Sequence, residues 1–369
     1  MTIAKLLACA ALLLATMAAA PDRLRSIAQT DRLAWSGVAR SDDGRTFVVF
    51  SRLAGNPGPS LAVIGNDGKP QPFPGGGWND WSAAADKADP AKVFVGLSAI
   101  RLGPDHSLWV LDSGVADRGR ALAGAAKLVR IDLVHDSVAR TIVLPADVLR
   151  PKSRVADFCL HGTTAYIADA GAPGLIVLDL TTGAARRVLD GTPSMTARRP
   201  VTVDGETLRG ADGKPVMIDV DNLDLSPDGK FLYYQPLSGP MSRIATSLLD
   251  DPKATPQALT AGVEFWYDTP ALGGSAIAPD GTLYLDDVEN DSVLSLSPDR
   301  ALRTVISDPR LHWPAAPFLR DGVLTIPVSQ FDRAGLFHHG HSRIAHPVEL
   351  FELRVASAPA AASPPKARR

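Results

Sequence analysis

Pro227-Asp228-Gly229-Lys230-Phe231-Leu232-Tyr233-Tyr234 decides the fold. Asp-Gly supplies a tight turn, and the residues after it are apolar and aromatic, which suits a half-buried strand. The same turn-then-strand unit recurs at Asp42-Asp43-Gly44 before Thr46-Phe47-Val48-Val49, and at Asp105-His106 before Leu108-Trp109-Val110-Leu111-Asp112. It returns at His161-Gly162 before Tyr166-Ile167-Ala168-Asp169, at Asp280-Gly281 before Leu283-Tyr284-Leu285, and at Asp321-Gly322 before Val323-Leu324-Thr325-Ile326. The turn centres fall at positions 44, 106, 162, 229, 281 and 322. A unit repeated in this way cannot bury its faces alone and stacks on its neighbours. Six copies built on short strands predict an all-β, six-bladed β-propeller.

The intervals between turn centres are 62, 56, 67, 52 and 41 residues. Four short strands and their turns need about 40–50 residues per blade, so the longer intervals carry insertions. Gly75-Gly76-Gly77-Trp78 opens one such insertion. Thr192 to Pro215, with turn signals at Asp204-Gly205 and Asp212-Gly213, predicts an extra hairpin. The ring is expected to close by one terminus completing a blade begun at the other, the candidate segments being Leu33–Arg40 and Val348–Val355.

Outside the repeats, residues 1–20 have the layout of a secretory signal: a short start with Lys5, then an apolar run from Leu6 ending in small residues. That run is too short for a stable membrane anchor, and no later stretch is long enough for a span. Residues 21–355 form the propeller, and 356–369 read as a disordered Ala/Pro/Ser tail. Cys9 falls in the signal and leaves Cys159 without a partner, so an exported chain would rely on its core rather than on disulfides. A formal net charge of −2 with no long basic block argues against nucleic acid as a partner. Gly-x-Ser-x-Gly, a Walker loop and His-Glu-x-x-His are all absent.

Chemistry-bearing residues collect where propellers place function. Asp157, Asp221 and Asn222 open inner strands; Asp112, Asp169 and Asp287 end second strands, and Glu289 follows in the loop. Acid and amide oxygens converging on an axis suit a hard cation such as Ca2+, or a small polar ligand. The same aspartates at strand ends also serve simply to bond turn amides. His312, beside Trp313, and Trp35 in the first blade could stack an aromatic ligand at inner-strand starts. His338-His339-Gly340-His341 with His346 lies in a loop whose spacing fits no standard zinc motif.

Leu108-Trp109-Val110-Leu111-Asp112-Ser113-Gly114, Tyr166-Ile167-Ala168-Asp169-Ala170-Gly171 and Leu225-Ser226-Pro227-Asp228-Gly229 leading to Tyr233-Tyr234-Gln235-Pro236, with His312-Trp313-Pro314, resemble the major royal jelly protein/yellow family from about residue 30 to 355. The resemblance implies a six-bladed propeller, and bacterial members are described as related to L-dopachrome tautomerase. It also implies a distant likeness to gluconolactonase/regucalcin propellers, whose axial divalent metal would here take Asp157 and Asn222 as ligands. Gly273-Gly274-Ser275 and Ala315-Ala316 stand where the family carries Asp-Gly at inner-strand starts. Three functions are therefore open: an axial small-molecule site isomerising quinone-type substrates, a metal-dependent lactonase-like hydrolase, or a non-catalytic binding module.

Overall fold

The computed structural model describes residues 23–82, 88–115, 119 and 121–355. The signal segment and the tail lie outside the described residues. Six four-stranded antiparallel sheets follow one another along the chain. Blade 1 holds Gly37–Arg40, Thr46–Val49, Leu61–Ile64 and Pro70–Pro72, from the inner strand outward. Blade 2 holds Leu97–Leu102, Leu108–Asp112, Lys127–Asp132 and Ser137–Val143, and blade 3 holds Val155–His161, Thr164–Asp169, Gly174–Asp179 and Ala185–Val188. Blade 4 holds Val220–Leu225, Phe231–Pro236, Met241–Ala245 and Glu264–Tyr267. Two short helices, Thr246–Asp250 and Pro256–Ala261, lie between its last two strands. Blade 5 holds Leu272–Ile277, Leu283–Asp287, Ser292–Leu296 and Leu302–Ser307. No helix among the described residues is long and apolar enough to cross a membrane.

The repeated turn works as its sequence requires. Gly229 sits at φ 71°, where a side chain is strained, and Asp228 Oδ1 accepts from the Lys230 amide at 3.1 Å while Ser226 Oγ donates to it at 2.8 Å. In blade 2 the residue at this place is His106, which takes φ 61° without being glycine.

Closure differs from the expectation in one respect. Blade 6 runs Phe318–Arg320, Val323–Pro327, Val348–Arg354 and then Leu24–Thr30. The N-terminal strand that completes the ring is thus Leu24–Thr30, paired from Leu24 opposite Leu353 to Thr30 opposite Val348. Leu33–Arg40 instead contains the inner strand of blade 1. Leu24, Ala28 and Thr30 are buried, Ile27 packs partly on the same core, and Arg25, Ser26 and Gln29 are exposed with one bulge, a mixed pattern that hides the strand from simple alternation.

The hydrophobic cores lie between adjacent blades. Leu111, Leu128, Ile167 and Ile176 fill the gap between blades 2 and 3, and Tyr166, Leu175, Leu232 and Tyr234 the gap between blades 3 and 4. Trp35 belongs to the core at the closure. It is fully buried, its ring lies 5.1 Å from that of Phe50, and its indole N–H donates to the Val348 carbonyl at 3.1 Å. It is not available to stack a ligand.

Candidate functional site

The inner strands of blades 2 to 5 share an irregularity near their starts. Pairing with the second strand slips between Leu97 and Ala99, between Val155 and Phe158, between Val220 and Asn222, and between Leu272 and Gly274. A bulge re-aims the unpaired side chain. Here it presents Ser98, Asp157, Asp221 and the bare backbone of Gly273 to one cavity of about 520 Å3. Ser36 of the segment before blade 1, and Ala315 and Ala316 before blade 6, complete its wall, so every blade contributes and the cavity is axial. Ile218, Leu237, Trp313, Phe331 and Phe337 make much of the remainder apolar.

Asp157, Asp221 and Asn222 are therefore brought together, but they differ in their bonding. Asp157 Oδ2 accepts from Arg101 Nη2 at 2.7 Å and from the Leu223 amide at 3.0 Å, and its Oδ1 accepts from the Phe158 amide at 2.8 Å. Arg101 also donates to the carbonyls of Phe158 and Leu223, tying the inner strands of blades 2, 3 and 4 across the axis. Asn222 Nδ2 donates to the Leu272 carbonyl at 3.1 Å, which joins blade 4 to blade 5. Asp221 has no hydrogen-bond partner among the described residues. Burial pushes its carboxyl up to about 6, opposed by the positive charge of Arg154 and aided by the negative charge of Asp157. Below it, Asp224 is also raised to about 6 by burial, against the pull of Arg101 and a hydrogen bond from Ser275.

The expected axial Ca2+ does not fit this donor set. Three of the lone pairs of Asp157 are already engaged, one of them by a guanidinium that supplies the positive charge itself. Ca2+ takes 6–8 oxygens, and among the described residues no third acid or histidine joins Asp157 and Asp221 within ligand range. The missing acids have a packing cause. A Cβ on Gly273 would meet the Pro314 carbonyl oxygen at 1.9 Å, and one on Gly274 would meet Ala316 Cα at 2.4 Å. The inner strand of blade 5 runs too close to the segment entering blade 6 to carry side chains there.

The strand-end aspartates stand outside the cavity. Asp112 is fully buried and accepts from the amides of Val95, Gly96 and Gly114 and from Lys127 Nζ at 2.7 Å. Asp169 is likewise buried. It accepts from the amides of Arg154, Gly171 and Ala172, from Ser153 Oγ, and from Arg187 Nη1 at 2.9 Å. Both hold the chain that feeds the inner strand of their own blade. Asp287 accepts from the Glu289 amide and from Asn290 Nδ2, and Glu289 accepts from the Ala271 amide; both line a separate hollow beside blade 5. His312 does not line the axial cavity, although its neighbour Trp313 does. Its ring instead bonds Asp332 through Nε2 at 3.0 Å and Asp291 Oδ2 through Nδ1 at 3.4 Å. Burial opposes the charged ring, but the carboxylates of Asp291 and Asp332 outweigh it and push its pKa up to about 9.

Sequence reasoning missed Arg101, Arg154 and Asp224. Arg101 had a signal: it is a long cation within the otherwise small and apolar inner strand Ser98-Ala99-Ile100-Arg101-Leu102. Asp224, buried beside it, follows the same logic one strand further on.

A closed ring of six four-stranded blades around an axial cavity defines a six-bladed β-propeller. The major royal jelly protein profile matches residues 97–311, and the chain belongs to that family. No functionally curated protein matches it in sequence. Among solved structures it is similar to virginiamycin B lyase from Staphylococcus aureus (12% identity, TM-score 0.52, covering 90% of this chain and 99% of that one). It is also similar to the calcium-binding protein regucalcin from Agrobacterium tumefaciens (12% identity, TM-score 0.54, 90% and 93% covered). A gluconolactonase from Xanthomonas campestris shows 13% identity and a TM-score of 0.52, with 90% and 89% covered. At these identities the likeness is one of fold.

Proposed function

We propose that this propeller binds a small, partly aromatic molecule in the axial cavity and isomerises a quinone-type substrate by moving a proton through Asp221. The observation that carries this is the bonding contrast within the cavity: Asp157 and Asn222 are engaged in joining blades, whereas the carboxylate of Asp221 faces the cavity with no partner among the described residues, at about 6. A base with a pKa near the working pH is best suited to taking a proton from carbon and returning it elsewhere. In the proposed tautomerisation Asp221 accepts the proton from the carbon next to a carbonyl, and its protonated form then delivers it to the oxygen or carbon at the other end of the rearranged π system. Proton count and oxidation state are conserved. Arg154, also in the wall, offers positive charge to the oxygen on which negative charge develops. Trp313 and Phe331 give the ring an apolar face to pack on. The apolar run from Leu6 to Ala20 supports action outside the cytoplasm.

The test is turnover of catechol-derived aminochromes by the purified protein, together with a melting screen against aromatic amines, quinones and lactones. Isomerisation that falls about 100-fold or more in Asp221→Asn, with unchanged melting, supports the assignment. Saturable binding without turnover reduces the protein to a binding module. Lactone hydrolysis abolished by a chelator would replace the assignment with a metal-dependent hydrolase.

A further inference from the structure

A second group of side chains lies at the rim of the propeller. It is assembled from four distant segments. Asp204 is at the tip of the inserted hairpin Thr202–Val203/Glu206–Thr207, which rests on blade 5 through a hydrogen bond from the Asp204 amide to the Glu289 carbonyl at 3.3 Å. Asp291 is in the loop between the second and third strands of blade 5. His312 precedes the inner strand of blade 6, and Asp332 is in the 3-10 turn Phe331–Arg333. His312 is buried. Its Nδ1 lies 3.3 Å from Asp291 Oδ1 and 4.0 Å from Asp204 Oδ2, and the three ligand atoms of Asp204, Asp291 and His312 all lie within 4.8 Å of one another.

Two independent observations show that this group is incomplete as it stands. The first is charge. Three carboxylates meet one imidazole, and among the described residues none of the three forms an ion pair with lysine or arginine; their only ion-pair partner is His312. Even with His312 protonated the group carries two uncompensated negative charges. The second is bonding. Asp291 bonds His312 Nδ1 only through Oδ2, at 3.4 Å, and leaves Oδ1, 3.3 Å from the same nitrogen, as a buried oxygen that makes no hydrogen bond. Buried acceptors are rarely left in this state without an ion or another partner.

We propose that Asp204, Asp291 and His312 bind a divalent transition-metal ion of the Zn2+ type, with Asp332 as the residue that positions His312. With bonds of about 2.0–2.2 Å, ligand atoms at the corners of a tetrahedron stand roughly 3.3–3.6 Å apart. The 3.3 Å separation already matches, and the exposed Asp204 side chain closes the rest by a rotamer adjustment. The bond between Nε2–H and Asp332 fixes the tautomer that turns the lone pair of Nδ1 to the metal, the arrangement in which a carboxylate orients a metal-bound histidine. Because Trp313 and Phe331 are chain neighbours of His312 and Asp332, the ion would pin the inserted hairpin beside the mouth of the axial cavity.

The test is calorimetric titration of chelator-stripped full-length protein with ZnCl2, paired with a melting curve with and without the ion. The expected result is one Zn2+ per chain and a higher melting temperature in its presence. Affinity should fall at least 100-fold in Asp291→Asn, and about 10–100-fold in Asp332→Asn. Asp204→Asn, a surface change that leaves the core untouched, should weaken binding and lower the intensity of the visible absorption of the Co2+ form. His339→Ala/His341→Ala should bind Zn2+ as the parent does. Absence of binding to the parent, full binding by Asp291→Asn and Asp204→Asn, or loss of binding in the His339/His341 variant would each overturn the assignment. In the last case the ion would belong to the exposed histidine loop.

Discussion

Asp169 and Asp221 are the same residue type in adjoining blades, yet they have opposite surroundings. Asp169 ends a second strand, is fully buried, and accepts three amides, a hydroxyl and a guanidinium. Asp221 occupies a bulge of an inner strand, faces the axial cavity and has no partner among the described residues. The first carboxylate holds the blade together; the second is held by the blade and left chemically free. What differs between the two acids is the number of engaged lone pairs, and the proposed role of Asp221 rests on that difference.

The largest effect that would test this contrast is at the strand end. Asp169→Ala removes the buried carboxylate partner of Arg187, leaving it only the half-exposed Asp190, and strips three amides of their acceptor, so it should cost about 3–5 kcal/mol in urea unfolding. Lys127→Met should act similarly by stranding Asp112. A loss of stability no greater than that of a surface substitution would break the comparison. A smaller effect is expected at the bulge of blade 5. Gly273→Ala drives a Cβ against the Pro314 carbonyl and should cost roughly 1–3 kcal/mol by overpacking. Ser98→Ala at the corresponding bulge of blade 2 should remain close to the parent. Smaller again is Asp221→Asn, which should shift the unfolding midpoint little, and toward greater stability, while removing the proposed proton transfer. A large destabilisation would show that Asp221 is a hidden structural acid.

The contrast also reaches the pH dependence of stability. Burial raises Asp221 and Asp224 to about 6, above the ordinary aspartate value that both have in the unfolded chain. Across that interval the folded protein binds more protons than the unfolded one, so stability falls as the pH rises toward about 6. Urea midpoints taken through this range should show the decline, with a shallower slope in Asp221→Asn and a residual part that belongs to Asp224. An unchanged slope in the variant would place Asp221 in a more solvated setting than its geometry indicates.

The repeat count, the six blades, the strand order within each and the inserted hairpin near Asp204 were all legible from turn chemistry and apolar runs, because these are local properties of neighbouring residues. The cavity was partly legible. Asp157, Asp221 and Asn222 were identified by their place at inner-strand starts, and the structure brings them together. The partnering that separates them was not legible, since Arg101 reaches Asp157 from 56 residues away in the chain and Asn222 meets the Leu272 carbonyl from 50. Trp35 and His312 looked alike in sequence, each at the approach to an inner strand, yet one became core and the other joined a rim cluster. That outcome depends on Val348 and Asp332, which lie far along the chain.

The order of residues therefore determined by itself that this is a propeller and that it has six sectors, because turns and strands are encoded within a few positions; of the acids it pointed to, only Asp157 and Asp221 line the axial cavity. Only the closed ring decided that Leu24–Thr30 is the strand that locks it, that Gly273 must stay bare, and that Asp221 meets no hydrogen-bond partner among the described residues. Those outcomes rest on contacts between blades, and no local pattern encodes the distance between two strands that meet only when the circle is complete.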